Sequence, residues 1–167
     1  MSNKKKSLKD FRLIILITAV AAVLIWIFLQ PNFFEVGKGS STFESKYLNF
    51  SLSLPSGFQA KDETSRIIIN SDDGQITVNR NGTQFNNLED YISDFDSKRN
   101  LISSETNNTS INGHEALSRL VEYPDQNYSQ KSYYIYVEKA VYIFSTTSES
   151  LYDELDQIAQ SFKYTGE

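Results

Sequence analysis

The stretch Gln130–Thr146 constrains the fold more than any other part of the chain. It reads as two strands around a turn at Glu138-Lys139, a pair lacking the Gly or Asn that tight hairpins prefer, so register stays open. If Val137 pairs with Ala140, then Tyr133, Ile135, Tyr142 and Phe144 share one face, and Tyr134, Tyr136, Val141 and Ile143 share the other. Both faces are then apolar or aromatic. A hairpin of that kind has to be central and covered on both sides.

The remaining elements supply the cover. Phe50, Leu52 and Leu54 alternate with Ser51 and Ser53 in a half-buried strand that Pro55-Ser56-Gly57 ends. Strands at Arg66–Asn70 and Gln75–Arg80 flank Ser71-Asp72-Asp73-Gly74, a hairpin signal. Asn86 with Glu89 three residues on predicts a helix start, after which Leu88, Tyr91, Ile92 and Phe95 fall on one face, with Asp90, Asp94 and Lys98 pointing away. A strand near Ile102–Thr106 precedes the Asn112-Gly113 turn, and Ala116–Tyr123 forms another, closed by Pro124. A last helix beginning near Ser148 or Ser150 places Leu151, Leu155, Ile158 and Phe162 on one stripe. One helix on each face of an antiparallel sheet, an α+β fold layered as an α/β/α sandwich, hides every apolar surface.

The chain of 167 residues suits one ordinary domain, and its 40% hydrophobic and 22% charged content excludes intrinsic disorder. With no Cys, disulfide scaffolds, thiolate metal sites and thiol nucleophiles are excluded, and the single His114 removes multi-histidine metal sites. Charge is asymmetric. Residues 1–30 hold Lys4, Lys5, Lys6, Lys9 and Arg12 against Asp10, a net +4. The rest carries 11 basic and 20 acidic residues, a net −9, which would repel nucleic-acid phosphates.

From Leu13 to Leu29 no residue is charged and only Thr18 is polar. As a helix those residues reach about 25 Å, at the lower end for crossing a bilayer. Trp26 lies near the far end and Pro31 is placed to stop the helix. The basic residues before the span put the N-terminus in the cytoplasm and the acidic body outside. The expected partition is a basic tail at 1–12, an uncleaved signal-anchor helix at 13–30, a linker at 31–46 and an extracytoplasmic domain at 47–165, with Leu13, Trp26 and Leu29 marking the anchor and Phe33 and Phe34 at the interface. Cleavage as a secretory signal is the competing reading, but Ile27, Phe28, Leu29 and Gln30 offer no small-residue site. A lipoprotein is excluded for want of a Cys, and the glutamate and cleavable glycine of a type IV pilin are missing.

The order of motifs resembles a known family. Tyr47 to Phe58 is similar to the opening of PsbP-like domains, where a Phe-Ser strand runs into Pro-x-Gly-aromatic. Leu88-Glu89-Asp90-Tyr91-Ile92, Ile111-Asn112-Gly113-His114-Glu115-Ala116, the tyrosine-rich hairpin and the closing Ser161-Phe162-Lys163-Tyr164 continue the pattern across residues 47–165. The resemblance implies an antiparallel sheet between helices. It also implies a non-catalytic binding or assembly module, since the family is named for an extrinsic photosystem II subunit but has many secreted or membrane-anchored bacterial members. No family metal or docking residue carries over.

Candidate sites have plain alternatives. His114 follows a turn glycine and lacks ligand partners; Asp72 and Asp73 lack the alternating ligands of an EF-hand; Asp153, Glu154 and Asp156 fit the first turns of the last helix, where acids suit the dipole. Six tyrosines crowd into Tyr123–Tyr142. They serve either as β-sheet packing or as an aromatic platform for a glycan or protein, with Tyr128, Tyr134 and Tyr136 the candidate partner-binding set. No phosphate loop, nucleophile elbow or His-Glu-x-x-His pair is present, so no catalytic residue, metal or cofactor is expected. The expected partners are the bilayer, through the N-terminal helix, and an envelope protein or glycan. An envelope hydrolase using paired carboxylates and an accessory subunit of a membrane complex are the alternatives.

Overall fold

The computed structural model describes residues 40–99, 103–123 and 126–166. The stretch Leu13–Leu29, with Trp26, lies outside them, as do Phe33, Phe34 and Pro124. Among the described residues no helix is long and apolar enough to cross a bilayer. The compact unit runs from Gly39 to the C-terminus, so it begins ahead of the expected boundary at Tyr47.

Among the described residues ten strands form two antiparallel sheets. A large one runs in the order β3 (Gln59–Glu63), β4 (Arg66–Ser71), β5 (Gly74–Gly82), β9 (Ala140–Thr146), β8 (Tyr128–Val137), β7 (His114–Tyr123) and β6 (Ser103–Ile111). A small one places β2 (Phe50–Leu54) between β1 (Ser41–Ser45) and β10 (Lys163–Tyr164). Helix α1 (Leu88–Arg99) packs on β7 and β8, and α2 (Tyr152–Gln160), entered through a 3-10 turn at Glu149–Leu151, packs on β9 and β2 from the other side.

The central hairpin has the expected register: Val137 pairs with Ala140, Tyr133 with Phe144 and Tyr134 with Ile143. Its turn achieves this without glycine, for Glu138 (φ 46) and Lys139 (φ 63) both enter the left-handed region. Such residues cost about 1 kcal/mol or more each. Outside contacts hold them there. Thr83 N–H donates to the Lys139 carbonyl at 2.8 Å, Tyr164 O–H donates to Glu138 at 2.8 Å, and the Lys139 ammonium reaches Asn86.

Two separate cores follow from the two faces. Tyr133, Ile135, Tyr142 and Phe144 meet Phe50, Leu52, Leu155, Ile158 and Phe162 on the α2 side. There Phe162 sits 5.4 Å from Phe50 and 5.0 Å from Tyr142, ring centre to ring centre. Tyr134 and Val141 meet Leu88, Tyr91 and Ile92 under α1. Buried Tyr142 also donates its hydroxyl to the Leu48 carbonyl at 2.7 Å, joining the large sheet to the β1–β2 turn.

Several expectations need correction. Ser41–Ser45, assigned to the linker, is a strand in register with β2, Phe43 opposite Leu52. The helix cap is Asn87, not Asn86: its Oδ1 accepts the Asp90 N–H at 2.7 Å, and the Glu115 carboxylate reaches across from β7 to the Leu88 N–H at 3.1 Å. Strand β3 was not foreseen, and β6 runs well past Thr106 to Ile111. Cover is also uneven. The α2 face is roofed by a helix and a three-stranded sheet, whereas α1 leaves Ile68, Thr77 and Asn79 of β4 and β5 partly exposed.

Candidate functional site

On the α2 face the apolar core reaches β7 and β6 only at Ala116 and Ile111. Further along these strands, β6, β7 and β8 present mostly polar side chains in two cross-strand rows fixed by register: Asn107, Ser118 and Tyr133 in one, Glu105, Leu120 and Lys131 in the next. Tyr152 and Asp156, one helical turn apart on α2, form the opposite wall. Together these groups enclose a cleft of about 300 Å³.

A hydrogen-bonded network fixes the cleft. The Lys131 ammonium lies 2.6 Å from Asp156 Oδ1 and 2.8 Å from Oδ2, and donates to the Tyr152 carbonyl at 3.3 Å. It also stands 5.5 Å from the centre of the Tyr152 ring. The Tyr133 hydroxyl donates to Asp156 Oδ1 at 3.0 Å, and the Tyr152 hydroxyl to the Ser129 carbonyl at 3.3 Å. Burial, reinforced by the Asp156 charge, pushes the Tyr133 phenol up to about 12. Burial raises Tyr152 as well, with Glu149 adding to it. Asn107 Nδ2 donates to Glu105 Oε1 at 3.1 Å on the rim.

Two wider grooves flank α1. One, about 520 Å³, runs along Asn81, Tyr91, Phe95 and Lys98, with the lysine tied to Asp94 at 2.7 Å. Another, about 530 Å³, lies between the start of α1 and the β6–β7 wing. Neither has interlocked charged and phenolic side chains like those of the first cleft.

The three candidate tyrosines of the partner-binding set are differently placed. Tyr134 is 4% exposed, with its ring against Phe95 and the Arg119 guanidinium, so it offers nothing to a partner. Tyr136 is half-buried and donates its hydroxyl to the Phe85 carbonyl at 3.0 Å. Tyr128 is 37% exposed, stacked on Tyr123 with centroids 4.8 Å apart. His114 is half-buried, edge-on to Phe162 and Tyr164, and Asp72 and Asp73 make a two-residue turn. No group of three or more potential ligands for a metal occurs among the described residues. Asp153 and Glu154 do sit in the first turn of α2, but Asp156 is held by Lys131 and Tyr133 rather than by the helix dipole. Asp156 is among the carboxylates the sequence singles out, but Lys131 and Tyr152 are not; their one signal is that Lys131 is a charged residue on the face of a central strand that continues with Tyr133, Ile135 and Val137.

An antiparallel sheet with a helix on each face, one face closed further by a small sheet, is the PsbP-like architecture, and solved structures bear this out. The chain matches the solution structure of cyanobacterial PsbP (CyanoP) from Synechocystis with a TM-score of 0.51 and 11% identity, over 78% of this chain and 95% of that one. It matches the Ran-binding protein Mog1p of Saccharomyces cerevisiae with a TM-score of 0.52 and 12% identity, over 77% and 97%. A Bacteroides thetaiotaomicron crystal structure gives 0.55 and 12%, over 78% of this chain and half of that one. The fold is therefore PsbP-like. No protein-family model matches the chain, and no curated protein matches its sequence.

Proposed function

We propose that this chain is a non-catalytic binding module held outside the cell membrane by the helix Leu13–Leu29, and that it binds through the cleft between α2 and the β6–β8 wing. The observation that carries this reading is the cleft itself, where interlocked polar groups replace a hydrophobic core. These groups stay accessible at the cleft, with the Asp156 side chain 38% exposed, so they are open to a ligand. A Ran-binding protein with the same fold supports a binding role. The basic residues before the apolar stretch and the acidic domain after it support the orientation.

A hydrolase is the second reading, because Glu105 and Asp156 line the same cleft. Both oxygens of Asp156 already face Lys131, and one also accepts the Tyr133 hydroxyl, which suits an acceptor held in place better than a proton carrier. A photo-crosslinking residue at exposed Asn107, compared with one at exposed Ser65 on the far edge of the sheet, tests the reading in intact cells. Discrete adducts from Asn107 alone are expected; equal or absent adducts at both positions would count against it. Release of fragments from peptidoglycan, abolished by Asp156→Asn, would establish the hydrolase instead.

A further inference from the structure

The contents of the cleft point to one class of ligand. Asp156 is paired with Lys131, while Glu105 keeps its charge and accepts a hydrogen bond from the Asn107 amide. A phosphate or carboxylate would meet two carboxylates against one engaged ammonium, because Arg119, whose chain also lines the cleft, turns its guanidinium to Asp96 on the other face. A negatively charged ligand therefore finds no opposite charge waiting. What the cleft offers is groups that suit hydroxyls, which both donate and accept: the Ser118 hydroxyl, itself bonded to Tyr133, the Asn107 amide and the outer lone pairs of the Asp156 carboxylate.

Shape narrows the class further. Three neighbouring strands at about 4.8 Å and two rows two residues apart give a floor of about 10 Å by 7 Å. At about 300 Å³ the cleft lies at the small end of ligand sites. That footprint takes one ring and its substituents, not an extended peptide. Leu120 lies mid-floor and the Tyr152 ring is fixed at its hydroxyl and its carbonyl, so two apolar surfaces stand ready for the C–H faces of such a ring.

We propose that the cleft between α2 and β6–β8 binds a neutral, polyhydroxylated ring, one pyranose unit of a glycan. This deepens the binding reading above and rests on it. Ser118 and Asn107 would hold hydroxyls from the floor, Asp156 would accept one from the wall, and Leu120 and Tyr152 would exclude water from the ring faces.

The test titrates the full-length chain, kept in a detergent that carries no sugar, with glucose, N-acetylglucosamine, glucuronate and inorganic phosphate, following amide and tyrosine resonances. For a ligand of this size saturable binding is expected with Kd on the order of 1 mM. Glucuronate should bind at least tenfold more weakly than glucose, and phosphate not at all. Ser118→Leu, which fills the floor, should weaken the neutral sugars at least tenfold. Should that variant fold poorly, the exposed pair Glu105→Ala with Asn107→Ala should still weaken them about fivefold. No saturable shift with either neutral sugar, tighter binding of glucuronate or phosphate, or binding indifferent to these substitutions would overturn the proposal. If crosslinks from Asn107 persist while sugars fail, the ligand class is wrong and the binding module stands. If both fail, both readings fall.

Discussion

The buried guanidinium of Arg119 makes a demanding prediction because it reverses the usual sign of a deletion. Arg119 lies on the α1 face of β7 with its side chain 1% exposed. Only Nη1 is engaged, 2.8 Å from Asp96 Oδ1 and 3.1 Å from Oδ2. Nε and Nη2 have no hydrogen-bond partner among the described residues, and the group stands 5.7 Å over the Tyr134 ring. Breaking a buried pair by removing the acid typically costs about 3–5 kcal/mol. Asp96 is 31% exposed, so screening reduces this, and Asp96→Ala should cost about 2–3 kcal/mol.

Arg119→Met does the opposite. It gives up the ion pair and about 1 kcal/mol of cation–π attraction. It also removes a desolvated charge and two orphaned donors, each costing about 1–3 kcal/mol, and frees Asp96 to take water. The variant should be neutral or up to about 2 kcal/mol more stable. The double variant should match Arg119→Met alone, a coupling of about 2–3 kcal/mol. Urea unfolding with an unchanged slope is the assay, or melting at about 3–4 °C per kcal/mol for a domain of this size. A loss of more than about 2 kcal/mol for Arg119→Met alongside a silent Asp96→Ala would refute the reasoning.

Other outcomes follow from single sites. The Tyr133 phenol, raised to about 12, favours the folded state while neutral, so its contribution is whole below pH 10 and lost as the pH climbs toward 12. That amounts to about 2–3 kcal/mol, and urea midpoints across this window should fall less steeply in Tyr133→Phe, some slope remaining from Tyr134 and Tyr142, which burial raises in the same direction. Tyr142→Phe leaves the Leu48 carbonyl buried without its donor and should lower stability by about 1–2 kcal/mol in calorimetry. Gly74→Ala should cost about 1–3 kcal/mol in the same assay: φ is +144° there, and an added Cβ would collide with the Ser148 side chain and press on Leu151 at 3.3 Å.

The parts of this fold legible in the sequence are those whose side chains repeat a buried pattern. Strands β8 and β9 showed apolar residues on both faces, and α2 with its two flanks showed Leu151, Leu155, Ile158 and Phe162 in one stripe. The edges were not legible. Gln59-Ala60-Lys61-Asp62-Glu63 contains one apolar residue, and Glu105–Ser110 has none, because an edge strand is held by its neighbour's backbone and gains from charge that deters further pairing. Strand β1 was read as linker for the same reason, its serines outweighing Phe43. The cleft stayed hidden for a different cause. Its residues come from β6, β7, β8 and α2, and only cross-strand register brings Asn107, Ser118 and Tyr133 into line. The division of the tyrosines was legible, because alternation sends Tyr133 to the α2 face and Tyr134 under α1.

Because the chain contains no cysteine, a single introduced thiol reports without background. Asn107→Cys on the cleft rim and Ser65→Cys in the exposed β3–β4 turn, treated in intact cells with a membrane-impermeant maleimide, test the account most directly. Both thiols should be labelled from outside, and a glycan fraction from the same envelope should protect Cys at the rim position while leaving the turn position reactive. Labelling only after lysis, or protection shared equally by the two positions, would contradict an outward-facing module that binds through this cleft.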